Sequence, residues 1–136
     1  MSFSEAEQIK TALLPLFEAE QSVAFVYLFG SRATGRVGPM SDYDLAIFVD
    51  EHDVVKRHDI LFRLAAATSK ALKSDGIDVH CLNDLYAPEL KFCIIHDGIL
   101  LFERGALRLI IEPRILNEYF DFNYLLRKYN LTKQSA

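Results

Sequence analysis

The chain has no excess of positive charge. Its 15 lysines and arginines stand against 19 aspartates and glutamates, for a net charge of -4 and a pI near 5.5. That balance excludes a protein that grips nucleic acid by neutralising phosphates along a broad basic face, and no direct nucleic-acid binding is expected. Cysteine is scarce as well. Cys81 and Cys93 match no metal-ligand spacing and build no disulfide framework; each sits in an apolar run and is expected to be a small buried hydrophobe. The N-terminal MSFSEAEQIK lacks the basic start and apolar stretch of a signal peptide. No apolar run approaches the roughly 18 residues needed to cross a bilayer, so no membrane contact is expected and the cytoplasm is the expected compartment. Repeats, low-complexity tracts and linkers are also missing, which leaves a single domain spanning residues 1–136.

What is present is an ordinary globular composition, 51% hydrophobic and 25% charged, enough to close a core. Ser4 and Glu7 have the spacing of a capping box, and Ile9, Leu13, Leu16 and Phe17 follow at helical intervals, with Pro15 expected to kink or end the helix. Val23–Phe29 is a β-branched and aromatic run that reads as a buried strand. Asp42–Val49 alternates as a second strand. His52–Lys73 reads as a helix stopped by Gly76, and Ile77–Leu82 as a third strand. Pro88–His96 is a short helix, Ile99–Phe102 a fourth strand, and the chain is helical from Gly105 onward, bent or restarted at Pro113. The expected fold is α/β (α+β): a mixed sheet of about four strands flanked by helices, with a long C-terminal helix.

The stretch LFGSRATGRVGPMSDYDLAIFVD interrupts the most strand-like region with a loop of three glycines, then opens the next strand with Asp42 and Asp44. Alternate residues on a strand share a face at roughly 6.6 Å, so the two carboxylates are expected to converge. Left alone they would repel; a divalent cation resolves the conflict, and oxygen donors on a rigid strand suit Mg²⁺. Gly30-Ser31, closing the preceding strand, offers a phosphate close approach to the backbone, a hydroxyl and an N–H. Either feature alone is commonly just a turn. Together they make a phosphate cradle on one strand end and a metal site on the next. Asp78, entering the third strand with its side chain opposite Ile77, Val79 and Cys81, is placed to serve a second metal ion and to take a proton from a nucleophile. Arg32 and Arg36 are candidates to steady the phosphates. His80 shares the predicted face of Asp78, although a hydrogen-bonded strand histidine is the simpler reading.

These residues resemble the signature of the nucleotidyltransferase superfamily that includes DNA polymerase β and the kanamycin nucleotidyltransferases. That signature is Gly-Ser, a spacer, Asp-x-Asp, then a third acidic residue on a later strand; Gly30, Ser31, Asp42, Asp44 and Asp78 match it position by position. More narrowly the loop and strand are similar to the minimal nucleotidyltransferases (MNT proteins), many of which are antitoxins paired with a HEPN-domain toxin. The resemblance implies transfer of AMP from ATP to an acceptor hydroxyl with pyrophosphate leaving, two Mg²⁺ ions, and, for HEPN-paired members, a toxin tyrosine as acceptor. It implies nucleotide binding at Gly30, Ser31 and Arg32, and catalysis and metal binding at Asp42, Asp44 and Asp78. Two rival readings are a transferase acting on a small aminoglycoside-like molecule and a non-catalytic antitoxin that works by binding alone.

The tail carries a helical stripe, Ile115, Tyr119, Phe122 and Leu126, expected to pack on the chain's own sheet. Leu116, Phe120, Tyr124 and Tyr129 exceed what one core-facing stripe requires, making this helix a candidate interface for the HEPN partner.

Overall fold

The computed structural model describes residues 3–34 and 42–130. Helix α1 (Phe3–Ala19) leads into strand β1 (Val23–Phe29) and a single helical turn, α2 (Ser31–Thr34). Strand β2 (Tyr43–Val49) is followed by α3 (Val54–Leu72), β3 (Ile77–Cys81) and a short 3₁₀ turn (Leu82–Asp84). Helix α4 (Pro88–Asp97), strand β4 (Ile99–Glu103) and the long α5 (Leu107–Lys128) complete the order. The four strands form one mixed sheet in the order β3-β2-β1-β4, with β2 parallel to β3 and β1 antiparallel to both its neighbours.

Both faces of the sheet are covered, which is why β1, between β2 and β4, reads as an unbroken apolar run rather than an alternating one. On one face Val26, Leu28, Leu45 and Ile47 pack with Leu13 and Phe17 of α1 and Leu61 and Leu64 of α3. On the other, Phe25, Tyr27 and Ala46 pack with Leu82, Ile94 of α4 and Ile115 of α5. A bulge between Val23 and Phe25 shifts the alternation and puts Ala24 and Phe25 on the same face. Arg104 ties β4 to the end of α1, donating to the carbonyls of Phe17, Glu18, Glu20, Gln21 and Val23. Among the described residues no helix is long and apolar enough to cross a membrane.

Several sequence expectations change. Neither proline interrupts its helix: Pro15 lies within α1 and Pro113 within α5, both on the exposed side, where water can serve the carbonyl each leaves without a partner. Helix α1 begins at Phe3, so Ser4 falls inside it and not at the cap. Helix α3 is opened by Asp53, whose side chain accepts from Val55 N at 2.8 Å. It is closed by Lys73 in the left-handed region (φ 51°), not by Gly76. Cys93 is exposed, because Ile94 next to it takes the core-facing position of α4; Cys81 is half-buried, and burial pushes its thiol up to about 11. In α5, Ile115 is buried and Tyr119, Phe122 and Leu126 are partly covered, whereas Phe120, Tyr124 and, just past the helix, Tyr129 stand in solvent.

Candidate active site

Strand pairing brings the acidic residues together. Asp44, on β2, lies beside Phe29 of β1 on one side and beside Asp78 of β3 on the other. The next pair along the parallel ladder but one is Ala46 with His80, so His80 sits on the same face one pleat further in. Its Nε2 is 3.1 Å from Asp78 Oδ2. Ligand atoms of Asp44, Asp78 and His80 all lie within 4.8 Å of one another. The partner residues on the opposite face, Leu45 and Val79, go into the core against α1 and α3.

Two glycines press against the carboxylates. Gly30 has φ +77°, and a Cβ placed there would collide with the Asp44 carboxylate. Gly76 has an ordinary φ, yet a Cβ on it would stand 2.7 Å from Asp42 Oδ1. This is the purpose of the glycine read from sequence as a helix stop. Its carbonyl also accepts from Tyr43 N at 2.7 Å, joining the entry of β3 to the entry of β2.

Asp42 does not join the close trio. Strand pairing starts at Tyr43, and Asp42, exposed just before it, rests against Gly76. Asp44 thus meets Asp78 and His80, with Asp42 on the flank against Gly76. Its charge is still felt. Burial holds the Asp44 carboxyl above its ordinary value, the carboxylates of Asp78 and Asp42 push the same way, and His80 opposes them. The carboxylates of Asp44, Asp78 and the flanking Asp42, whose like charges oppose one another's ionisation, supply oxygen donors that fit a divalent cation such as Mg²⁺.

Ser31, half-buried, opens the α2 turn, in which the Gly30 carbonyl accepts from Ala33 N at 3.1 Å and Thr34 N at 3.2 Å. A largely apolar cleft of about 430 Å³ opens at Gly30 and Ser31, walled by Phe29, Thr34 and the α4 side chains Leu90, Cys93 and Asp97. Its lining holds none of Asp44, Asp78 and His80; His80 lines a separate cleft with Val79, Cys81 and the α3 side chains His58, Leu61 and Phe62. Arg32 follows Ser31 in the α2 turn. Its guanidinium is 2.9 Å from Glu5 Oε1 and lies 3.9 Å over the Tyr43 ring, which packs on the α1 and α3 side of the sheet. Arg36 falls outside the described residues. What sequence reasoning undervalued is His80. Its signal was there, a histidine two residues after Asp78 on one strand face, but only the register with β2 brings it to Asp44.

The sequence profile of the family described as "Polymerase beta, Nucleotidyltransferase" matches residues 11–106, which contain every one of these groups. Among solved structures, a chain of a toxin–antitoxin complex with AMP-PNP superposes at a TM-score of 0.70, with 19% identity, over 88% of this chain and 94% of that one. A chain of the complex between a tri-AMPylated Shewanella oneidensis HEPN toxin and an MNT antitoxin gives 0.66, with 17% identity, over 91% and 94%. A protein provisionally assigned as a minimal nucleotidyltransferase gives 0.56, with 27% identity, over 73% and 95%. At such low identity the first two show a shared fold alone. No curated protein sequence matches the chain.

Proposed function

Because the chain belongs to the nucleotidyltransferase family of the polymerase β type, we propose that it transfers AMP from ATP to a tyrosine hydroxyl of a HEPN-type toxin and so acts as an antitoxin. The observation that carries this reading is the meeting of Asp44, Asp78 and His80 beside a glycine whose missing side chain lets the Gly30 backbone reach the Asp44 carboxylate. The acceptor is drawn from the relatives: the chain shares its fold with a protein found in complex with a tri-AMPylated HEPN toxin.

Gly30 and Ser31 bind the β- and γ-phosphates, the glycine through its bare backbone and the serine through its hydroxyl and N–H. The carboxylates of Asp42, Asp44 and Asp78 would hold Mg²⁺, which when bound supplies the positive charge that neutralises the triphosphate and lowers the pKa of the acceptor hydroxyl. Asp78, the more open carboxylate, takes the proton as the tyrosine oxygen attacks the α-phosphorus. The bond from that phosphorus to the bridging oxygen breaks, and pyrophosphate departs past Gly30 and Ser31. Positioning and charge neutralisation supply the rate enhancement, since the protein forms no covalent bond to the nucleotide.

Asp78 is 59% exposed, so the acceptor side of the site is open to solvent and a partner must close it. The second half of α5 provides a docking face: Phe120, Tyr124 and Tyr129 are exposed beyond the part of the helix that packs on the sheet. Incubation of the protein with a cognate HEPN-type toxin, labelled ATP and Mg²⁺ should give a mass gain of one or more AMP units on the partner. No gain with a folded, authentic partner would sink the reading. Asp44→Asn separates catalysis from capture: a variant that transfers no AMP yet protects cells as well as the parent would show neutralisation by contact alone.

A further inference from the structure

We propose that His80 is a positioning residue for Asp78, holding its carboxylate in the orientation in which it serves the metal ion and receives the acceptor's proton. The proposal rests on the reaction given above. Asp78 is the second residue of an edge strand, and its side chain is 59% exposed. A carboxylate so placed has several rotamers open to it, and ordering it at the moment of reaction costs conformational freedom. Among the described residues, the His80 imidazole is the one group within ion-pair distance of it, with Nε2 3.1 Å from Oδ2. A single contact at Oδ2 leaves Oδ1 for other duties.

The imidazole is itself held in place. It is 30% exposed, and its ring meets Phe29 edge-on with centroids 5.3 Å apart. Phe29 is the residue before Gly30 and the register partner of Asp44. One chain of contacts thus runs from the phosphate end of the site, through Phe29 and His80, to the carboxylate at the acceptor end. The imidazole that packs on Phe29 thus presents Nε2 to the exposed carboxylate of Asp78. Outer partners of this kind orient ligating carboxylates in metal sites, and their loss commonly costs 10- to 100-fold in metal affinity or activity.

The test compares His80→Phe, which keeps a ring against Phe29 without a donor, with His80→Gln, which keeps a donor within reach of Asp78. Mn²⁺ binding is followed by electron paramagnetic resonance in the presence of a non-hydrolysable ATP analogue, alongside steady-state AMP transfer. H80F should bind Mn²⁺ about 10-fold more weakly and lose kcat by a similar factor, with KM for ATP little changed because Gly30 and Ser31 are untouched; H80Q should recover most of both. Adding H80F to Asp78→Asn should weaken Mn²⁺ binding no further, since the histidine acts through Asp78. Three results would overturn the proposal: Mn²⁺ binding by H80F equal to the parent, an H80Q as impaired as H80F, or additive losses in the double variant. If H80F does not fold, His80→Asn, too short to reach the carboxylate, makes the same comparison. The Mn²⁺ measurement needs no turnover, so a protein that binds the ion through this pair but modifies no partner would defeat the proposed reaction and leave this assignment standing.

Discussion

Gly30→Ala perturbs backbone and site at once, and the structure separates the two. The residue has φ +77°, where an L side chain costs about 1–2 kcal/mol. Gly105, with φ +66° and nothing within 4 Å of a built Cβ, provides the matching control, because Gly105→Ala pays the backbone term alone. At Gly30 the added methyl also collides with the Asp44 carboxylate. Either that side chain rotates away from Asp78 and His80 or the strand end moves, and a displacement on the order of 1 Å at a reacting centre costs about 100-fold in rate. Urea unfolding should therefore show both variants destabilised by about 1–2 kcal/mol, with Gly30→Ala somewhat the worse. AMP transfer to the toxin should be intact in Gly105→Ala and fall by about 100-fold in Gly30→Ala. Equal activity in the two variants would refute the reasoning, since Gly30 would then matter only for its φ.

Asp44→Asn should leave the metal-free protein at least as stable as the parent at pH 7. The native Asp44 pKa is raised by burial and then by Asp78, so its ionised form is the disfavoured one and the fold loses stability as pH rises through that raised value. Mg²⁺ should raise the melting temperature of the parent but not of this variant, and equal shifts would count against a metal role for Asp44. The Asp84 carboxyl is held below its ordinary value of 3.8, chiefly by the hydrogen bond from Arg57. Its contribution is present above 3.8 and lost as pH falls through the lower native value, so Asp84→Asn should melt below the parent at neutral pH and the gap should close on acidification. A gap independent of pH would reject this. Arg104→Met removes donors from the carbonyls of Phe17, Glu18, Glu20, Gln21 and Val23; a loss of about 2–3 kcal/mol in urea is expected, with specific activity of the folded protein unchanged. Phe120→Ala with Tyr124→Ala should change stability by about 0.5 kcal/mol or less, because both are exposed, while weakening toxin binding at least about 10-fold by calorimetry. Undiminished binding would remove this face of α5 from the interface.

Local chemistry was the readable part of the chain. Val23–Phe29 is a strand with the bounds its composition indicates, and α3, α4 and the remaining strands fall within a residue or two of where apolar periodicity puts them, while α5 ends at Lys128 instead of running on. Helix ends were harder, since they depend on which residue adopts a left-handed φ: Lys73 does so, freeing Gly76 for its contact with Asp42. Pro15 and Pro113 end no helix for a related reason. Whether a proline breaks a helix depends on whether the carbonyl it leaves behind faces water or core, and that is a property of the packed molecule.

The same division runs through the site. Period-two alternation along single strands is written in the order of residues, so Asp44 and Asp78 could each be placed on the face opposite Leu45 and Val79 from sequence alone. The Gly-Ser and Asp-x-Asp elements were equally visible, and with them the family. Neighbours across strands are another matter. The parallel register that sets Asp44 beside Asp78 and brings His80 within reach is fixed by how α3 crosses from β2 to β3 and packs on the sheet. The Arg32 guanidinium turns to Glu5 and Tyr43 because α1 lies on that side. Sequence therefore determined which candidate groups the chain carries for a nucleotide and a metal. Tertiary structure decided which of them meet, because the distance between side chains on separate strands is set by the burial of residues far apart in the chain.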